Sequence, residues 1–371
     1  MTVILLVANL GVWAQKGGGY SSVNRIMYRI PDSLTFSSAG MAGYVNSHFR
    51  DQKQKAWAIF SWIASHIRYE PDSISTNNYY QKPSEVSDKI LRSRTGVCLQ
   101  FAYLFCDLTS RAGIKSYVVQ GYTKQHGMVD WLPHVWCAGY IDTAWYLFDP
   151  TWGAGFYVNR GFVKQVSNYY FMRKPEELIA SHMPFDPLWQ FSSYPVTNDE
   201  FYGRNLRVNR NKPYFNYLDT LAQYEKESEL EQYISSARRI EGNGVSNAFV
   251  ATKLRILRGE IDYYRKKAMA EKYKVAVDYY NEGIKQLNEF IHHSNNRFHP
   301  ERDTLEMRHM LDSAERVFCV SAKTLAEITD PEASVAVSMK LLNESLSTTM
   351  EVLNIQKAAL DRYLNFSREN E

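Results

Sequence analysis

Apolar residues in the first half of the chain change their spacing from helical to alternating. Between Lys55 and Ile67, the residues Ala56, Ile59, Phe60, Ile63 and Ile67 recur on one helical face with polar positions opposite, which predicts an amphipathic helix. A Ser- and Asn-rich stretch, Pro71 to Pro83, follows and predicts a surface loop bordering a cleft. The next helix is predicted to begin near Cys98, because Phe101, Ala102, Phe105 and Leu108 form one stripe and Gly113 lies beyond its end. Shorter segments then suit strands: Tyr117 to Gly121, His134 to Ile141 and Trp145 to Phe148, the last two joined by an Asp142-Thr143-Ala144 turn. A helix followed by antiparallel strands predicts an α+β core.

Beyond about residue 215 the pattern is helical throughout. Val250, Leu254, Leu257, Ile261 and Tyr264 form one stripe, and Ala276, Tyr280, Ile284, Leu287 and Ile291 form another. Leu311, Ala314, Phe318, Leu325 and Ile328 precede Pro331, and Leu342, Leu346, Met350, Leu353, Leu360 and Leu364 lie on the last helices. Each stripe needs another to bury it, so several antiparallel helices with short breaks are expected to form a bundle; a repeat solenoid is the alternative. Pro184, Pro187, Pro195 and Pro213 interrupt the stretch between the two regions and predict irregular structure there.

With 371 residues, the chain is long enough for a complete core and a second domain. A formal net charge of +3 creates no strong field, which argues against nucleic acid as a partner. The apolar run from Val3 to Ala14, with Val12 and Ala14 set for cleavage, resembles a secretory signal, and the expectation is export to the periplasm or outside the cell, with a cytoplasmic location as the alternative. No later run reaches transmembrane length, so the mature protein is expected to lack a membrane span. Residues 1–19 are thus read as signal and leader, 20–173 as the core, 174–214 as a Pro- and aromatic-rich connection and 215–371 as the helical domain.

Four cysteines, Cys98, Cys106, Cys137 and Cys319, are too few for a disulfide-stapled scaffold and lack paired zinc-ligand spacing. Cys98 stands out because a Gly-containing turn, Arg94-Thr95-Gly96-Val97, delivers it to a helix start, where unpaired N–H groups favour a thiolate. Cys106 and Cys137 read as apolar filling. In Pro133-His134-Val135-Trp136-Cys137, strand alternation sends His134 and Trp136 to one face and Val135 and Cys137 to the other. His134 can then meet Cys98 across the helix–sheet junction as a general base. Asp149 closes the next strand ahead of Pro150 and is suited to orient the imidazole; its plainer role is a strand-ending Asp that caps a turn.

In this order the three segments resemble the transglutaminase-like superfamily, whose core shares the papain arrangement. The resemblance covers roughly residues 50 to 155 and rests on Gly96-Val97-Cys98 through Ala102, on His134-Val135-Trp136-Cys137, and on Trp145 through Gly155, with Trp57 to Tyr69 similar to the lead-in helix. Cys137 departs from the family's common Asn, and Gln100 from a small or different polar residue. The resemblance implies a papain-like catalytic core and a Cys98-His134-Asp149 triad acting through a thioester, with Tyr69 or Trp62 as candidate oxyanion donors beside the Cys98 N–H. The expected activity is a cysteine peptidase or amidase on a peptide or protein, such as cell-wall peptide, needing no metal or organic cofactor. No acidic calcium loop is present in the sequence. The alternatives are a protein-glutamine transglutaminase and a non-catalytic binding or scaffold protein on the same fold, with the helical domain recruiting a protein partner.

Overall fold

In a computed structural model, residues 20–71, 83–158, 161–203 and 206–369 are described. The expected signal segment and most of the Pro71 to Pro83 loop lie outside them. The helices α1 (Ser21–Met27), α2 (Ser38–His48) and α3 (Gln52–His66) are followed by the short strand β1 (Arg68–Tyr69), the helix α4 (Pro83–Ser93), the strand β2 (Thr95–Gly96) and the helix α5 (Cys98–Arg111). Asp51 caps α3, accepting the Gln54 N–H at 2.9 Å. At the start of α5 the Gln100 side chain reaches back to accept the Val97 N–H at 2.9 Å, which gives this family departure a structural duty. Helix α5 ends ahead of Gly113, whose φ of +82° favours glycine.

Strands β3 (Lys115–Gln125), β4 (Met128–Ile141) and β5 (Ala144–Phe148) run on from one another as an antiparallel meander. After helix α6 (Pro150–Ala154) come the hairpin strands β6 (Gly155–Val158) and β7 (Gly161–Lys164), helix α7 (Pro175–Leu178) and strand β8 (His182–Pro184). Strand β8 pairs antiparallel to β3, giving the sheet order β5-β4-β3-β8. The expected strands are present and longer than their alternating cores suggested. Burial on the two faces follows the predicted alternation. Cys137 joins Ile63, Phe101, Phe105 and Phe148 in the core beneath α3 and α5, while Trp136 packs with Val119, Trp145, Leu188 and Trp189 on the other side.

Helices α8 (Asn198–Tyr202), α9 (Tyr217–Tyr224) and α10 (Glu229–Gly242) precede three long helices, α11 (Ala248–Asn295), α12 (Thr304–Ala326) and α13 (Ala333–Glu369). An α+β core followed by an all-helical region is therefore the architecture. Two compact units divide between Leu257 and Arg258. The two stripes expected on separate helices share the continuous α11, because the residues between Tyr264 and Ala276 are mostly good helix formers with no Pro or Gly among them. In the second unit Ala276, Leu287, Phe290, Leu311, Phe318 and Leu346 belong to one buried cluster. Gly283 is needed there, since a Cβ would lie 2.6 Å from a ring carbon of buried Phe318.

Close approach of β8 to β3 depends on Gly121. A Cβ at this position would come within 2.1 Å of the Met183 carbonyl oxygen and 2.5 Å of the Trp136 ring. Gly121→Ala is accordingly expected to lower stability by about 3 kcal/mol or more, since backbone on one side and a buried indole on the other leave no room for a rotamer change. A urea unfolding midpoint equal to that of the wild type would refute this account of the β3–β8 contact.

On β7, Lys164 is exposed along its side chain but its ammonium donates to the Ile67 carbonyl, and loss of water around that group lowers its pKa to about 8. In the unfolded chain the amine keeps its ordinary value near 10.4. Between these values the unfolded state binds more protons than the folded one, so stability rises with pH across that interval. Comparing unfolding midpoints at pH 7.5 and 10 should show this rise as a component that Lys164→Met removes; an identical pH profile in the variant would refute it.

Candidate functional site

Directly after strand β5 stands Asp149, whose side chain is fully buried. Its Oδ1 accepts the N–H groups of Thr151 (2.9 Å) and Trp152 (3.0 Å), so Asp149 caps α6 with Pro150 at the first helical position. The turn-capping role open to Asp149 in the sequence is thus part of the structure. Oδ2 accepts from two imidazoles, His134 Nε2 at 2.7 Å and His182 Nε2 at 3.1 Å. Four donors fill the acceptor capacity of one carboxylate.

Each histidine arrives on a different strand. Gly121 of β3 pairs with His134 of β4 on one side and with Pro184 of β8 on the other, and from β8 the His182 ring reaches Asp149 across the sheet. Both rings are buried, and Trp152 packs against them with ring centroids 5.4 Å from His134 and 4.6 Å from His182. Burial alone would keep His134 neutral, but the Asp149 charge and hydrogen bond, with a smaller contribution from Cys98, raise it to about 10. For His182 burial prevails and lowers the pKa, leaving a neutral ring with Nε2–H on Asp149 and Nδ1 accepting from the Ser181 hydroxyl at 2.8 Å. Burial pushes the Asp149 carboxyl upward, and the two histidines more than reverse this, holding it well below the usual carboxylate range.

The sequence-derived candidates are distributed as follows. Cys98 is half-buried at the first position of α5, and its thiol makes a side-chain hydrogen bond to His134. Tyr69 is kept protonated, its pKa raised to about 12 by burial and then by Cys98 and Tyr157. Trp62 lies in the core, stacked on His66 at 4.5 Å and covered by the Arg94 guanidinium at 4.7 Å.

This arrangement corrects the expected activity. The buried grouping built around Asp149 is His134, Asp149 and His182, and it contains no cysteine. Here the Asp149 carboxylate is divided between two rings, His134 and His182. The reading as a cysteine peptidase or thiol protease working through a catalytic triad is therefore replaced. His182 was absent from the sequence reading, because it lies in a Pro-broken stretch with no periodicity and reaches Asp149 only through the three-residue β8.

His134, Asp149 and His182 are also the residue types that hold a divalent transition metal, and one donor atom of each lies within 4.8 Å of the others. Their present spacing is that of direct hydrogen bonds. His134 Nε2 and Asp149 Oδ2 are 2.7 Å apart, closer than the roughly 3.3 Å between two ligands of a tetrahedral zinc ion with bonds of about 2.0 Å.

Residues 40–150 match the Transglutaminase-like superfamily, and this chain carries a core of that superfamily. Among curated relatives, the mouse Kyphoscoliosis peptidase is 29% identical over 157 residues, 40% of this chain and 23% of that protein. Hillarin of Drosophila melanogaster is 31% identical over 117 residues, 26% of this chain and 14% of that protein. The chain thus spans less than a quarter of the length of either relative. A solved structure described as a TGase aligns with a TM-score of 0.25 at 17% identity, covering 43% of this chain and 40% of that one.

Removing the shared carboxylate by Asp149→Ala would strand two buried imidazoles and two N–H groups, and is expected to cost about 3–5 kcal/mol. Loss of His182 by His182→Ala should cost about 2–4 kcal/mol, through the lost bond and the space left behind. Imidazole nitrogen NMR of the wild type should find Nε2 protonated on both rings. A His182→Ala variant within 0.5 kcal/mol of the wild type in urea unfolding would contradict the shared-carboxylate description.

Proposed function

We propose that this chain is a non-catalytic binding or scaffold protein that uses the transglutaminase-like core as a framework for a protein partner. The observation that carries this reading is the division of the Asp149 carboxylate between His134 and His182, which commits the polar centre to holding three strands together. Apolar surface for contact is available on the core. At the far end of the β3–β4 hairpin, Trp131 is 95% exposed, with Met128 and Leu132 also exposed, and Phe156, Tyr157 and Val158 are exposed on β6. Such grouped apolar exposure suits protein contact better than solvent. Among the described residues no helix is long and apolar enough to cross a membrane.

Intact-mass spectrometry after incubation with a panel of activated peptide esters and glutamine peptides tests the proposal. A binding protein should show no acyl group on Cys98 that forms and then discharges to water or an added amine. A Cys98-linked acyl species that turns over, and disappears in His134→Ala with the fold intact by circular dichroism, would overturn it.

A further inference from the structure

Two cysteines outside this centre face each other across the helix–sheet interface. Cys106 lies two turns beyond Cys98 on α5, and Cys137 lies three residues beyond His134 on β4. Both are free thiols in the buried core, Cys137 with no exposure and Cys106 with 9%. The Cys137 thiol donates to the Ala102 carbonyl at 3.6 Å, one helical turn before Cys106, and it shares a side-chain hydrogen bond with the Cys106 thiol. Around them Phe105 and Phe148 pack with centroids 4.9 Å apart, so the pair lies in an apolar layer between two rigid elements. Eight residues of helix separate Cys106 from Cys98 by about 12 Å of rise, which keeps this pair apart from the Cys98 thiol.

We propose that Cys106 and Cys137 form an oxidant-driven cross-link, a disulfide that ties α5 to β4. The oxidant class is a peroxide. Its small size suits a buried site, and Cys106, the sulfur with some exposure, meets it first. The Cys106 sulfur attacks one peroxide oxygen, becomes a sulfenic acid and releases water. The Cys137 sulfur then attacks the Cys106 sulfur, an S–S bond forms, and the sulfenic oxygen departs as a second water carrying the Cys137 proton. In total two thiols give up two hydrogens and two electrons, and one hydrogen peroxide becomes two waters. Burial pushes the Cys137 thiol well up, which slows its direct oxidation and leaves it as the resolving sulfur. The cross-link joins the elements that carry Cys98 and His134, and it is independent of whether the core binds or catalyses.

The test uses the full chain carrying Cys98→Ser and Cys319→Ser, so that only this pair remains. It is exposed to hydrogen peroxide under native conditions and in urea below the unfolding midpoint, then alkylated and mapped without reduction. The expected result is a linked Cys106–Cys137 peptide that is lost on reduction, accompanied by a higher Tm. Adding Cys137→Ser should abolish the link and leave a Cys106 sulfenic acid that dimedone traps. Recovery of both cysteines as alkylated thiols or as unlinked higher oxides under both conditions would overturn the proposal, as would a link that forms only between molecules.

Discussion

A carboxylate with no exposure to water has to be matched by donors before the core can close around it. An unmatched buried charge costs several kcal/mol, so the Asp149 side chain constrains every segment that reaches it. Its donors come from the first turn of α6, from β4 and from β8. The strand exit after Phe148, the register of β4 on β3 and the docking of the otherwise irregular β8 segment therefore meet at one atom pair. Gly121 allows this convergence, because a side chain there would hold β8 away from β3.

The same constraint explains the different electrostatics of the two histidines. Both are buried and both donate to Oδ2, yet His134 is raised and His182 lowered. A single carboxylate charge can offset only one imidazolium in a desolvated site, and the shorter bond, with Cys98 on the same ring, assigns it to His134. His182 stays neutral and acts as a tautomer fixed from both ends, by Asp149 at Nε2 and Ser181 at Nδ1. The result is a polar centre in which each acceptor position of Asp149 has a donor.

Much of the core was legible because its elements carry periodic patterns. The stripe of α3, the start of α5 at Cys98 and the alternation of Trp136 and Cys137 all follow from spacing, and Asp149 could be placed at a strand end from Phe148 and Pro150. What was not legible depends on pairing over distance. His182 meets Asp149 across 33 residues through a strand of three, too short to show alternation and flanked by prolines. The length of α11 was hidden for the opposite reason: its apolar stripes are separated by a polar stretch that remains strongly helix-forming, so a gap in burial resembled a break. Gln100 shows how a departure from a family pattern can be local, since its side chain caps the helix that begins at Cys98.

A motif can match a family of enzymes and still leave the activity open, because its residues have structural duties of their own. In Phe148-Asp149-Pro150-Thr151-Trp152-Gly153, Phe148 fills the core and Pro150 starts α6. Thr151 and Trp152 supply N–H donors to Asp149, and the Trp152 ring covers both histidines. Gly153 lies so close to Phe60 that a Cβ would come within 2.5 Å of its ring. Each of these residues has a packing or hydrogen-bonding role of its own, whether or not a thiol nearby performs chemistry. A fold-level match therefore accounts for the box, and function has to be argued from how Asp149 distributes its bonds. That distribution includes His182, a partner that no spacing within the box could reveal.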